Sequence, residues 1–315
     1  NLGKLYELGL KEADETFLVY QDERYSFAET LNMAQRFARA LKENYDISHG
    51  DRVAICARNS PEWCLAYMAI SILGAIIVPM NSWWKGTELE YGLRDSGSKL
   101  AILDQARFEQ LKPYIASLAI DVILIKPEQE LVYPEFYSLL EDLEPLSQEE
   151  ITALNVVPED DASIMYTSGS TGVPKGVLST HRGIINALYT WRFVKEINEI
   201  LRPELVEESP QYQPALLVNV PLFHVTGSHA QFLASFVYVR KFVMMYKWDA
   251  DEALALIEKE RISILHGVPT MAWEVMQSQR FNDTDLSSLR GVQSGGAPRP
   301  PEHLKMIMEK FPEEA

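Results

Sequence analysis

The sequence predicts an α/β protein with two lobes of mainly parallel sheet flanked by helices. Three observations carry this expectation. The 315 residues exceed one ordinary domain and suit two α/β lobes. Short β-branched runs alternate with helically periodic segments throughout, the order expected of parallel sheets covered on both faces. An apolar strand, Ala162–Tyr166, runs straight into a loop rich in glycine and hydroxyl residues.

Composition narrows the function classes. Hydrophobic residues at 47% and charged residues at 23% describe an ordinary folded, soluble chain. The 29 Lys and Arg against 45 Asp and Glu leave a net charge of −16, which argues against broad, sequence-independent nucleic-acid binding. A small anionic ligand stays compatible, because a few local donors can outweigh an acidic average. The two cysteines, Cys56 and Cys64, lie in apolar segments, which excludes a disulfide framework and points to a reducing, cytoplasmic setting. The chain shows no signal-peptide pattern at Asn1.

The elements follow in order. Phe17–Tyr20 and Arg24–Phe27 flank Gln21-Asp22-Glu23 as a hairpin, and Ser26 with Glu29 resembles a capping box before the apolar face Phe27, Leu31, Ala34, Ala38, Leu41. Asp51–Ala57 reads as a buried strand. Trp63–Met80 carries no charge over eighteen residues, the lower end of what crosses a bilayer. Ser60-Pro61-Glu62 is a helix start and Gly74 a helix stop before the β-branched Ile76-Ile77-Val78, so the segment is expected to be a buried helix feeding a buried strand. No transmembrane segment is therefore expected; peripheral membrane contact and oligomeric state are left open. Thr87 and Glu90 resemble a second capping box, and Lys99–Asp104 and Asp121–Ile125 are further strands. The acidic stretches Pro127–Pro158 and Glu196–Pro214 read as solvated connections. Beyond them come the strand Leu216–Val220, the helix Ala250–Glu260, and the strands Ile262–Gly267 and Gly291–Ser294.

The loop Thr167-Ser168-Gly169-Ser170-Thr171-Gly172-Val173-Pro174-Lys175-Gly176 carries the chemistry. Its glycines permit tight turns and close ligand approach, hydroxyls and backbone N–H groups suit phosphate oxygens, and Lys175 offers a point charge. Neither the Walker spacing nor Gly-x-Gly-x-x-Gly fits it. A flexible linker would not be bounded by Ala162–Tyr166 on one side and Val177–His181 on the other.

The run Tyr166–Gly176 followed by Val177–Arg182 resembles the phosphate-binding signature of the adenylate-forming superfamily of acyl-CoA synthetases, peptide-synthetase adenylation domains and luciferases. Pro221-Leu222-Phe223-His224-Val225-Thr226-Gly227, Gly267-Val268-Pro269-Thr270 and Ser294-Gly295-Gly296-Ala297-Pro298 resemble later motifs in the right order. Asn81 and Glu88-Leu89-Glu90-Tyr91 are similar to acyl-CoA synthetase positions, and AMP-forming fatty-acid–CoA ligases resemble the chain most.

The resemblance implies the large N-terminal domain of that fold, truncated. One lobe is expected at 45–195 with the loop, and the other at 1–44 plus 205–315. It implies ATP, Mg²⁺ and coenzyme A as cofactors and a small carboxylic acid, fatty before aryl or amino acid, as substrate. Thr167, Ser168, Gly169, Ser170, Thr171, Gly172 and Lys175 would hold the β- and γ-phosphates, with Thr167 helping to place Mg²⁺. Lys175 and His224 would be catalytic, His224 near the carboxylate and α-phosphate. Gly295, Gly296, Ala297 and Pro298 would let an adenine ring and an acyl chain approach the backbone, although a plain strand-to-helix turn reads the same way. Gln231–Val239 reads either as a tunnel lining or as core. His224 and His229, five apart, do not form a zinc pair, and no other histidine grouping suggests a metal-ligand cluster. The family's Tyr-Gly-x-Thr-Glu motif, ribose-binding aspartate, hinge and C-terminal lid do not occur, so the polypeptide is expected to adenylate weakly or not at all alone. A non-catalytic nucleotide- or acyl-binding module is the alternative from another class.

Overall fold

The computed structural model describes residues 1–129, 131–167, 172–203, 211–295 and 297–311. After the short helices Leu2–Tyr6 and Glu7–Glu12 comes the antiparallel pair β1 (Thr16–Tyr20) and β2 (Glu23–Ser26), the hairpin expected around Gln21–Glu23. Then follow β3 (Arg52–Cys56), β4 (Ile76–Pro79), β5 (Leu100–Asp104), β6 (Asp121–Ile125), β7 (Asp161–Thr167) and β8 (Lys175–Thr180). The last four are β9 (Ala215–Val218), β10 (Lys241–Met244), β11 (Ile264–Gly267) and β12 (Gly291–Ser294).

Among the described residues these strands form two six-stranded sheets, β6-β5-β3-β4-β7-β8 and β12-β11-β9-β10-β1-β2. Pairing is parallel except in the hairpins β1–β2 and β7–β8, each at a sheet edge. This is the α/β architecture that the alternating pattern predicts. Helices form where local signals ask for them. Ser26 accepts from the Glu29 N–H at 3.1 Å and Glu29 accepts from the Ser26 N–H at 2.7 Å, opening the helix Phe27–Tyr45 with the expected capping box.

The uncharged run is a buried helix, Pro61–Ile72, capped by Ser60, with all twelve residues buried. Gly74, at φ +69°, turns the chain into β4. No described helix is long and apolar enough to cross a membrane. This helix and Phe27–Tyr45 belong to one core that includes Ile55 and Ile77 of the first sheet and Leu216 and Phe242 of the second. Trp63 and Tyr67 pack against Phe232 with ring centroids 6.4 and 5.9 Å apart.

One open alternative closes and two local expectations change. Phe232 and Phe236 are fully buried and pack on Phe17 at 6.2 and 4.6 Å, so these positions of Gln231–Val239 are core and not a tunnel wall. The helix Gly86–Ser96 begins with Glu88 accepting from the Lys85 N–H at 2.9 Å, not with Thr87 and Glu90. The 127–158 excursion is not merely solvated. Phe136 packs against Phe37 with ring centroids 4.2 Å apart, and Arg36 and Arg39 donate to the carbonyls of Leu143 and Glu144 at 2.7 and 2.9 Å. Its glutamates mask a spaced apolar set, Phe136, Leu140 and Leu146, which is buried.

Candidate functional site

The β7–β8 hairpin carries the glycine-hydroxyl loop at its open end, where Thr167 pairs with Lys175. Both residues are exposed, and the Thr167 hydroxyl makes only a 3.5 Å contact with the Lys175 carbonyl. Gly172 has φ +82°, a left-handed conformation that disfavours a side chain, and nothing lies within 4 Å of where a Cβ would sit. Ser168, Gly169, Ser170 and Thr171 lie outside the described residues. Two tyrosines tie the hairpin to the helix Gly86–Ser96. The Tyr166 hydroxyl donates to Asp95 at 2.6 Å and to the Gly92 carbonyl at 3.2 Å, and the Tyr91 hydroxyl donates to the Pro174 carbonyl at 3.1 Å. Burial, then Asp95, pushes the Tyr166 phenol well above its usual range, so it is a neutral donor.

His224 stands in a tight turn after β9. Its N–H donates to the Pro221 carbonyl at 3.2 Å, and its own carbonyl accepts from the Ser228 N–H and hydroxyl at 2.9 and 3.0 Å. The next residues, Thr226–Leu233, form a π-helical segment, a wide coil that often accompanies functional sites. The turn closes because residue 227 is glycine: a Cβ there would lie 2.3 Å from the Pro221 carbonyl oxygen. Asn59, from the loop after β3, clamps it across the sheets. Its amide nitrogen donates to the Val220 carbonyl and its oxygen accepts from the Leu222 N–H, both at 2.9 Å.

The His224 ring keeps an exposed edge, yet Phe223 lies 4.4 Å away and Trp83 6.3 Å away between ring centroids. Partial burial lowers its pKa, which keeps the imidazole neutral near neutral pH and able to both donate and accept. Burial similarly lowers His266, with Arg240 adding to it.

His224 opens onto a cleft of about 750 Å³ whose walls come from both sheets. Arg58, Asn59, Ser82 and Trp83 form one side; Val220, Met245, Trp248, Val268 and Met271 give the other an apolar character. Arg58 lies over the Tyr246 ring, 5.0 Å from its centroid, and brings positive charge to the cleft. Gly295, just after β12, lines the same cleft, while Ala297 and Pro298 follow it on the exposed surface. Gly296 is outside the described residues. Arg299 donates to the Ser294 hydroxyl and the Val292 carbonyl at 2.9 and 3.2 Å and so ties this loop to β12.

The structure therefore brings His224 and Gly295 together, whereas Thr167, Gly172 and Lys175 stay on the exposed hairpin and do not line the cleft. Trp83 and Trp84 link the two places. Asn81 turns the chain by accepting from the N–H groups of Trp83, through its side chain at 2.9 Å, and Trp84, through its carbonyl at 3.0 Å. Trp83 then meets Phe223 and His224, and Trp84 packs on Tyr166 at 5.5 Å. Sequence reasoning missed Trp83 and Asn59. Two tryptophans directly after a strand and its turn-forming Asn81 were the available signal for the first.

The residues suit the groups that the resemblance implies. The exposed Thr167 hydroxyl is an oxygen donor of the kind Mg²⁺ accepts. Among the described residues no group of three or more His, Cys, Asp or Glu could hold a metal by itself. The exposed Lys175 and the open space at Gly172 suit a polyphosphate.

Comparison with known proteins gives a consistent picture. A family profile described as AMP-binding enzyme matches residues 8–315. The 4-coumarate–CoA ligase CCL1 of Humulus lupulus is 28% identical over 286 residues, which cover 90% of this chain and 50% of the relative. The long-chain-fatty-acid–CoA ligase FadD13 of Mycobacterium tuberculosis is 30% identical over 292 residues, covering 92% and 53%. The inhibitor-bound crystal structure of the N-terminal domain of FACL13 from Mycobacterium tuberculosis superposes with a TM-score of 0.82 at 27% identity, covering 98% of this chain and 73% of that one. The chain spans about half the length of the curated relatives it matches.

Proposed function

The chain belongs to the AMP-binding enzyme family, and on that premise we propose that the full-length protein activates an apolar carboxylic acid, a fatty acid in the first instance, and passes it to coenzyme A. The acid carboxylate attacks the α-phosphate of ATP, pyrophosphate leaves, and a thiol then takes the acyl group from the acyl-adenylate with release of AMP. The observation that carries this reading is the convergence of His224 and Gly295 on one apolar cleft between the sheets. The similarity to fatty-acid and 4-coumarate ligases alike supports an acid with a mainly apolar tail.

The main difficulty of the first step is bringing one anion to another, and it calls for placed donors and positive charge. Lys175 and the hydroxyl and N–H groups of residues 167–172 hold the triphosphate, with Lys175 as the mobile charge. His224, neutral and backed by Phe223 and Trp83, donates to the carboxylate or α-phosphate oxygen. Gly295, Gly296, Ala297 and Pro298 take the adenine and the near end of the acyl chain. Thr167 would help to hold Mg²⁺, which would supply positive charge to the phosphates. We place the activity in the cytoplasm, a reading supported by the free, buried Cys56 and Cys64. We place the lobe boundaries at 45–195 and at 1–44 plus 205–315.

The test is acid-dependent pyrophosphate exchange by the full-length protein over a panel of acids. Lys175→Ala and His224→Ala should each lower the rate about 10²- to 10³-fold, the usual loss of one placed charge-stabilising group. Near-normal exchange in both would refute the assigned roles.

A further inference from the structure

Asn219 is a feature that acid activation leaves unused. It directly follows β9, is 8% exposed, and lines the same cleft as His224 and Gly295. Both its amide atoms, Nδ2 and Oδ1, are buried without a hydrogen-bond partner. Buried polar groups in folded proteins are otherwise paired, and an apolar side chain of the same shape would carry no such penalty.

The amide lies over the Cα of Gly267 in β11. A Cβ at Gly267 would sit 2.7 Å from Nδ2 and 3.1 Å from Oδ1, so glycine is what makes room for it. That same Cβ would be 2.6 Å from the Met271 sulfur, so thioether and amide share one hollow. Met271 also lines the cleft, and its unbranched side chain can swing aside at little cost. Around them Val220, Met245, Trp248 and Val268 are apolar. A carboxamide, which offers two donors and an acceptor, is then a polar point on an apolar wall, the arrangement by which ligand pockets fix orientation.

We propose that Asn219 is a specificity residue that reads a hydrogen-bonding substituent, a hydroxyl or keto oxygen, on the tail of an otherwise apolar acid, with Met271 moving off the amide as the acid binds. This rests on the reading that the cleft takes the acid. The preferred substrate is accordingly a mainly apolar acid whose tail carries such a substituent.

The experiment compares full-length wild type with Asn219→Leu in pyrophosphate exchange, using pairs of acids that differ only in one hydroxyl or keto group along the tail. Wild type should favour one polar member roughly 10- to 100-fold in kcat/KM, and the variant should lose that preference through the polar acid, with the KM for ATP unchanged. Unchanged selectivity in an active variant overturns the inference. So does a raised KM for ATP, because the amide would then serve the nucleotide. The Tm of the ligand-free variant should equal or exceed that of wild type. A fall of about 3 °C or more would make the amide a support of the fold and overturn the inference without any activity measurement. Exchange by wild type with no acid at all overturns the acid-activation reading and this inference with it, whereas exchange without polar preference overturns the inference alone.

Discussion

The β7–β8 hairpin and the turn after β9 both carry residues assigned to the reaction, yet they are built in opposite ways. The hairpin stands at a sheet edge, and Lys175, Gly176, Val177 and Leu178 are all exposed. Beside the loop, side-chain bonds join it to the helix Gly86–Ser96, from Tyr166 to Asp95 and from Tyr91 to the Pro174 carbonyl. The turn is closed on itself, with Gly227 against the Pro221 carbonyl, Asn59 reaching in from the other sheet, and the Phe223 and Trp83 rings beside His224. The difference fits the two tasks proposed above for these regions. A lysine that meets a triphosphate keeps its charge hydrated until the anion arrives, whereas a neutral imidazole beside a reacting carboxylate depends on crowding that lowers its pKa and holds its ring.

The comparison can be broken most severely at Gly227. Gly227→Ala forces backbone to shift, since the three atoms nearest the new Cβ are main-chain atoms of Pro221 and Leu222. Urea unfolding should show a loss of about 3 kcal/mol, in the range of overpacked sites. By contrast, Gly172→Ala, with open space and only its positive φ against it, should cost about 1 kcal/mol.

Acid sensitivity tests the two regions separately. His181, directly after β8, and His229, in the π-helical segment, are both pushed down to about 4 by burial. His181 also accepts from the Leu2 N–H at 3.2 Å, which a protonated ring nitrogen could not do. Their unfolded value is near 6.5, so between there and 4 the unfolded chain binds more protons, and stability present above about pH 6.5 is lost as pH falls. At pH 5 each histidine should cost about 2 kcal/mol relative to pH 7.5. His181→Gln and His229→Gln should each flatten the pH dependence of urea midpoints, and an unchanged slope in both would remove this assignment.

The smallest contrast is between the two sets of braces. Asn59→Ala strands the Val220 carbonyl and the Leu222 N–H and should cost about 1–2 kcal/mol. Tyr166→Phe loses a bond to the exposed Asp95 and should cost about 0.5–1 kcal/mol. Equal losses in thermal or urea unfolding would mean that the hairpin is braced as firmly as the turn.

Much of the fold was legible because its signals are short-range. Ser26 with Glu29 and Ser60 with Pro61 each act within three residues. The cleft was legible only in part. The motif around Pro221–Gly227 pointed to His224, but nothing local to Trp83 says that it meets Phe223. The 127–158 excursion misled for the same reason: Phe136 finds its partner, Phe37, on a distant helix.

By itself, the sequence determined the alternation of strands and helices, the helix caps, the buried path of the uncharged segment and the glycine-hydroxyl loop, since each follows from periodicity or from contacts within one turn of backbone. The tertiary structure alone decided that the loop's hairpin stands exposed while His224 and Gly295 share a cleft. It also decided that Asn59 clamps a turn 161 and 163 residues away, and that the Asn219 amide is buried unpaired over Gly267. Those outcomes depend on how two sheets meet, and which side chains face each other across that junction is set by packing of the whole core.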